Sequence, residues 1–313
     1  MKTRIVALFV GVLLLINSGC QPGAEPSATI SQAVADSETV KPVLLAEVGT
    51  FSESPVFDKE GNIYVSEPYG GPITRVTPTG EVSTWAETKG ANGHRILEDG
   101  THLVCDRVRS AVLRLDPDGN EIGLAASSCG DHPLRAPNDL ALDQHGGFYF
   151  TDPSGSQEDP VGRICYVDAE GDSHWLAEWE GFPNGIAVSP DERTLYVAEF
   201  NRNEILTFPI ESPGKIGAES LLTKLPEKEG VPLFGPDGMA FGPDGNLFVA
   251  HFGMGEIHVL SKEGKVIRTI DLGDDSAWSS NLNFGAAGSQ SLYVTGNSGP
   301  DPSMPGFLYR LKL

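Results

Sequence analysis

Apolar and polar residues alternate along this chain in short runs, and no sustained helical spacing emerges. A turn followed by an alternating apolar run recurs six times: GNIYVSE (61–67), DGTHLVCDR (99–107), HGGFYFTDP (145–153), DERTLYVAEF (191–200), DGNLFVAHF (244–252) and SQSLYVTGN (289–297). A period of two residues predicts strands. The central residues are Tyr64, Leu103, Tyr149, Tyr196, Phe248 and Tyr293, separated by 39, 46, 47, 52 and 45 residues. That spacing is the length of one four-stranded propeller blade and exceeds a leucine-rich or ankyrin unit. The pattern therefore predicts an all-β, six-bladed β-propeller.

A further strand follows each of these runs, as in ITRVTPTG, VLRLDPDG and IHVLSKEG, usually leading through a Gly-containing turn to another strand. After FLYRLKL the sequence stops at Leu313, which leaves the last blade one strand short. The early segment PVLLAEVGT (42–50) is predicted to supply its outermost strand and to remove the exposed edges.

Upstream of each run lies another apolar strand whose first residues are polar. Counting back from the central residues gives Glu53, Asn92, Asn138, Asn184, Asp237 and Asn281, at offsets of 11, 11, 11, 12, 11 and 12. Innermost strands of a propeller line its axial channel, so these positions are expected to converge near one mouth. Asn-Gly and Asp-Gly pairs commonly just cap turns. That alternative does not account for six oxygen-bearing side chains at near-constant phase, or for Glu53, which precedes Ser-Pro. Converging oxygens without Cys/His clusters suit a hard cation, and Ca2+ accepts irregular shells of six to eight ligands more readily than Mg2+ does. Other divalent cations are possible occupants.

At these residues the sequence resembles the family of senescence marker protein 30, gluconolactonases and lactonase-like propellers, with diisopropyl fluorophosphatase a more distant relative. Four motifs carry the resemblance over about residues 45–313: Ser52-Glu53-Ser54-Pro55, Pro137-Asn138-Asp139, Asn184-Gly185 and Pro236-Asp237-Gly238. It implies a calcium-dependent hydrolase acting on a lactone or sugar lactone. One catalytic Ca2+ would be held by Glu53, Asn138, Asn184 and Asp237. Asn92 and Asn281 would line the substrate pocket, and Asp139 would orient the ligands. Asp237 is expected to act as base or, alternatively, as nucleophile. The animal gluconolactonase-like members resemble Arg-x-Asn-Asp at the second motif, whereas Ala136 stands in that place here and Arg135 precedes it. Gluconolactone itself therefore does not follow from the resemblance, and the expectation stays at a lactone or sugar lactone. His94, just after the Asn92-Gly93 pair, and His251, in the VAHFG strand of the same blade as Asp237, are read as pocket residues able to carry a proton or donate a hydrogen bond.

Charge and the N-terminus narrow the setting. With 43 acidic and 22 basic residues, the net charge of -21 and the lack of a Lys/Arg stripe argue against a nucleic-acid partner. A small molecule is the expected partner. Residues 1–19 combine Lys2 and Arg4 with an apolar run from Ile5 to Ile16, shorter than the ~20 residues that cross a bilayer. Ser18-Gly19-Cys20 resembles a bacterial lipobox, which predicts a signal peptide over 1–19 and lipidation of Cys20. Residues 20–41 read as a flexible tether and 42–313 as the propeller. The product would be an exported lipoprotein facing the periplasm or exterior, touching the membrane only through its anchor. Cys105, Cys129 and Cys165 are an odd set without CxxC spacing and are expected as buried free thiols, not as a disulfide or a zinc site. The rival to an enzyme is a non-catalytic propeller lipoprotein that presents a protein- or carbohydrate-binding face.

Overall fold

The computed structural model describes residues 37–39, 41–154, 161–273, 278–285 and 289–313. Cys20 and the segment 1–36 lie outside them. The described residues form six radially arranged antiparallel sheets and contain no helix. Blade 1 runs outward from Glu53–Phe57 through Ile63–Ser66 and Ile73–Val76 to Val82–Ala86. In blades 2 to 6 the innermost strands are Ala91–Ile96, Leu140–Leu142, Pro183–Val188, Gly235–Phe241 and Trp278–Phe284. The six alternating runs of the sequence are the second strands: Ile63–Ser66, His102–Asp106, Phe148–Thr151, Thr194–Glu199, Leu247–Phe252 and Ser291–Asn297.

Successive side chains of each second strand point to opposite faces of its sheet and nearly all of them are buried, so every blade has two surfaces to bury. Each of the six interfaces between consecutive blades accordingly holds its own apolar cluster. Leu113 meets Val56 and Tyr64 between blades 2 and 1, and Ile164 meets Ile186 and Val197 between blades 3 and 4. The ring closes where Leu308 and Val48 of blade 6 pack on Val65 and Val76 of blade 1. Full burial of one such aliphatic side chain contributes about 1.5–3 kcal/mol.

Closure follows the sequence expectation. Val43–Val48 pairs antiparallel with Gly306–Lys312 and forms the outermost strand of blade 6. Just before it, Ser37–Thr39, inside the segment read as tether, pairs in parallel with Thr269–Asp271 on the outer edge of blade 5. The N-terminal segment thus covers two sheet edges in succession.

The cysteine expectation is corrected. Cys129 and Cys165 form a disulfide, and only Cys105 is a free, buried thiol among the described residues. The reason is a short hairpin, Ser128–Cys129 with His132–Pro133, in the connection from blade 2 to blade 3. It folds back so that Cys129 lies over Cys165 of the strand Gly162–Val167, at a Cα–Cα distance of 5.4 Å. A partner 36 residues away cannot be read from spacing alone.

Candidate active site

The polar slot lies at the start of the innermost strand, or in blade 3 two residues before it, and in the other five blades the backbone there is bulged, not turned. Pairing with the second strand shifts register between Glu53 and Val56, Ala91 and His94, Pro183 and Ile186, Pro236 and Met239, and Ser279 and Asn281. Bulges re-aim side chains, which is how residues of an otherwise apolar strand come to face the axis. The glycines after Asn92, Asn184 and Asp237 do not adopt positive φ. They are small for another reason: a Cβ at Gly185 would stand 2.2 Å from the carbonyl oxygen of Asp237, and one at Gly93 2.6 Å from that of Asn138. Gly93 N–H donates to Asn138 O at 2.7 Å. The missing side chains let neighbouring polar slots close on one another.

Glu53, Asn92, Asn138, Asn184 and Asp237 all border a single cavity of about 380 Å³. Its upper wall is aromatic, with Phe51, Tyr69, Phe182, Phe200 and Phe252, and Phe51, Phe200 and Phe252 pack together as a cluster of their own. The remaining sequence-predicted residues divide. Asn281 does not border the cavity but donates from Nδ2 to Ser54 Oγ at 3.2 Å and hydrogen-bonds Glu53. Asp139 is likewise set back from it, with Arg95 Nη2 at 3.5 Å from its Oδ1 and the Leu140 N–H donating to the same oxygen.

His94 and His251 do not reach the cavity, which corrects their reading as pocket residues. The bulge between Ala91 and His94 breaks the alternation that would have put His94 on the face of Asn92. His94 Nε2 instead lies 2.7 Å from His102 Nδ1, among Tyr64 and Trp85 in the interface with blade 1. His251 turns into its own blade and meets His258 at 3.0 Å. Burial, foremost, lowers the pKa of all four rings, that of His102 to about 4.

Electrostatically the cavity floor gathers carboxyl groups that burial makes costly to ionise. Burial raises Glu53 to about 8, with Asp139 adding to the rise and Asn281, the Ser54 N–H and Arg107 opposing it. Burial, then Glu53 and Asp139, push Asp237 well above the carboxylate range, against a hydrogen bond from Asn184. Glu53 and Asp237 form no ion pair among the described residues. An all-oxygen donor set of two buried carboxyls and several amides, which ionise at little cost only beside a cation, fits a hard cation.

Two features escaped the sequence reading. Arg107 borders the cavity with its guanidinium 4.9 Å from the Tyr69 ring centre, and it is the cation of the wall, whereas Arg135 bonds Val161 O instead. The second feature is a partial ring of buried carboxylates three residues after the central repeat residue in four of the six blades: Glu67, Asp106, Asp152 and Glu199 in blades 1 to 4. Each accepts main-chain N–H groups from the segment entering the polar slot: Thr50 at 3.0 Å, Lys89 at 3.3 Å, Ala136 at 2.9 Å and Phe182 at 2.8 Å. A second count along the repeat, three residues forward, would have found them. In blade 5 that position is His251.

This architecture has close counterparts. Residues 51–298 match the SMP-30/gluconolactonase/LRE-like region. The chain belongs to that family. Among the family's proteins, a lactonase drp35 from Staphylococcus saprophyticus is 30% identical over 246 residues, 74% of this chain and 73% of that protein. A gluconolactonase from Zymomonas mobilis is 27% identical over 292 residues, 84% of this chain and 80% of its own length. Of solved structures, a gluconolactonase from Xanthomonas campestris superposes with a TM-score of 0.74 at 24% identity, covering 94% of this chain and 95% of that one. A regucalcin from Agrobacterium tumefaciens, described as a calcium-binding protein, reaches 0.77 at 19% identity, covering 90% and 96%. At those identities the two structures speak for the fold alone.

Proposed function

We propose that this chain is a lactonase-type hydrolase that opens cyclic esters at the axial cavity, using Ca2+ held by Glu53, Asn138, Asn184 and Asp237. The observation that carries this reading is the pair of buried, unpaired carboxylates Glu53 and Asp237 set among amides on the cavity floor. A binding scaffold has no use for such a pair, because buried like charges without a counter-ion destabilise the fold. Bound there, Ca2+ would supply Lewis-acid polarisation of the ester carbonyl.

The chain's own groups do the rest. Asp237 receives the proton of the water whose oxygen attacks the acyl carbon, and that proton passes to the ring oxygen as the C–O bond breaks. Asn92 and the amides of Asn138 and Asn184 orient the ester group. The aromatic wall excludes bulk water and holds the apolar part of the ring, and the cavity falls within the usual 300–1,000 Å³ of small-molecule sites. Ala136, where the animal members have Arg, removes a sugar-hydroxyl contact and supports an apolar lactone over gluconolactone.

Export and lipidation of Cys20 belong to the same proposal. The Cys129–Cys165 disulfide supports an oxidising compartment. The test is hydrolysis of a panel of aromatic, aliphatic and sugar lactones with and without a calcium chelator. Turnover of apolar lactones, lost on chelation and restored by Ca2+, is the expected result. Chelator-resistant turnover, or none on any lactone, would reject the reading.

A further inference from the structure

We propose a second metal site, of different chemistry, built by His251, Glu256 and His258 inside blade 5 and suited to Zn2+ or a similar transition ion. The strands Leu247–Phe252 and Glu256–Leu260 form a tight hairpin through Gly253 and Gly255, both at positive φ. In its register His251 lies opposite Glu256, and His258 lies opposite Val249 and, on its other side, Thr269. Directly opposed residues and residues two apart share a face, so His251, Glu256, His258 and Thr269 all project from one face of the blade.

Their donor atoms converge. One ligand atom from each of His251, Glu256 and His258 lies within 4.8 Å of the others. His251 Nδ1 stands 3.0 Å from His258 Nε2, and Glu256 Oε2 3.5 Å from the same nitrogen. Two nitrogens and one carboxylate oxygen bound tetrahedrally at about 2.0–2.2 Å stand roughly 3.3 Å apart, so little movement is required. Thr269 Oγ1, 3.1 Å from His258 Nδ1, can take that nitrogen's proton in a hydrogen bond and leave the Nε2 lone pair facing His251. Both rings are buried and held neutral, the form in which imidazole binds metal.

The repeat gives the cluster its meaning. In blades 1 to 4 the His251 position is a carboxylate that fixes the segment entering the polar slot. His251 makes no such bond, and its Nε2 is buried without a partner. Its backbone pairs with Pro236, beside Asp237, so a metal tying His251 to the next strand would brace the slot by another route. Lys228 is the competing cation: its Nζ lies 2.8 Å from Glu256 Oε1 and equally close to Met254 O, on the exposed side of the site.

The experiment is titration of the chelator-stripped full chain with Co2+, read by visible absorption, followed by displacement with Zn2+. An intense tetrahedral band, one equivalent per chain, is expected; an axial, all-oxygen site does not produce it, so Glu53→Gln should leave the band in place. His258→Gln should abolish it and Glu256→Gln should weaken binding at least about tenfold, whereas Lys228→Gln should tighten it. Circular dichroism melts identify any variant that fails to fold. Glu256→Gln, at the edge of the cluster, then stands in for His258→Gln. A band that survives in both variants, or no band in either the wild type or Lys228→Gln, overturns the site.

Discussion

Two rings of buried polar side chains circle this propeller, one at the starts of the innermost strands and one three residues past the centre of the second strands. Their chemistry is similar and their circumstances are opposite. In the anchoring ring, Asp152 accepts the N–H groups of Arg135 and Ala136, with the Arg163 guanidinium at 3.8 Å. Glu199 likewise accepts from Phe182 N–H and Trp179 Nε1. In the axial ring, Glu53 and Asp237 border one cavity and take hydrogen bonds from the amides of Asn281 and Asn184 and from the Ser54 N–H, with no ion pair among the described residues. A saturated carboxylate holds structure. An unsaturated one retains the capacity to bind a cation or take a proton, so function is assigned to the second kind.

The largest effect should separate the rings by readout. Asp237→Asn is expected to lower lactone turnover on the order of 10³-fold while leaving the melting temperature unchanged or raised, since a carboxyl that burial makes costly to ionise is replaced by a neutral amide of the same shape. Glu53→Gln should lose activity through weakened cation affinity and recover part of it in excess Ca2+. Activity measured across a calcium titration for both variants checks this. Equal rescue of the two would demote Asp237 to a ligand only.

Asp152→Ala tests the other ring. It strands the main-chain N–H groups of Arg135 and Ala136, while Arg163 keeps Glu178 at 2.7 Å, and should cost about 2–5 kcal/mol of stability by chemical denaturation. What turnover remains should have a nearly unchanged calcium dependence, because no axial ligand is altered. A loss of activity in the fully folded variant, with stability intact, would erase the distinction between anchoring and working carboxylates.

The two rings were not equally legible in the sequence. Six blades, the closing strand 43–48 and the convergence of Glu53, Asn92, Asn138, Asn184 and Asp237 follow from periodicity, because strand alternation and blade length are local properties. His94 was misread because the bulge between Ala91 and His94 shifts side-chain phase by one residue, and the sequence does not advertise a bulge. The anchoring ring hid inside motifs such as VSE, VCD and FTD, where an acid ending a strand looks like an ordinary exposed terminus. Only its partners, 17 residues upstream for both Glu67 and Glu199, reveal that it is buried. Cys129 and Cys165 needed a tertiary contact of the same kind.

That disulfide fastens the outer end of the connection whose inner end Asp152 holds. Replacing both cysteines by Ala should destabilise the chain by about 3–4 kcal/mol, the loop-closure entropy expected for a separation of 36 residues. With the inner end still held, the axial slot should keep its geometry and turnover at 25 °C should change less than about twofold, well under a tenfold effect of 1.4 kcal/mol. Guanidinium melts and steady-state rates on the Cys129→Ala/Cys165→Ala protein decide it. A rate loss matching the Asp152→Ala variant would mean that the two ends act as one clamp.

The smallest expected effect lies within the axial ring. Ser54 sits at φ 42°, in the left-handed region that a residue with a Cβ adopts at a cost of about 1–2 kcal/mol. Its N–H donates to Glu53 Oε2 and its Oγ accepts from Asn281 Nδ2, so the strained backbone holds Glu53 at the cavity and braces Asn281 behind it. In Ser54→Gly the strain disappears and one hydrogen bond worth about 1 kcal/mol goes with it, so stability should change by less than about 1 kcal/mol. Activity should not be so indifferent. Without Oγ, Asn281 loses a tether and Glu53 gains freedom, so calcium affinity should weaken severalfold while saturating Ca2+ restores the wild-type rate. Measuring the calcium half-saturation point beside a denaturant melt tests the pairing, and a stability change larger than the affinity change would place Ser54 with the anchoring residues instead.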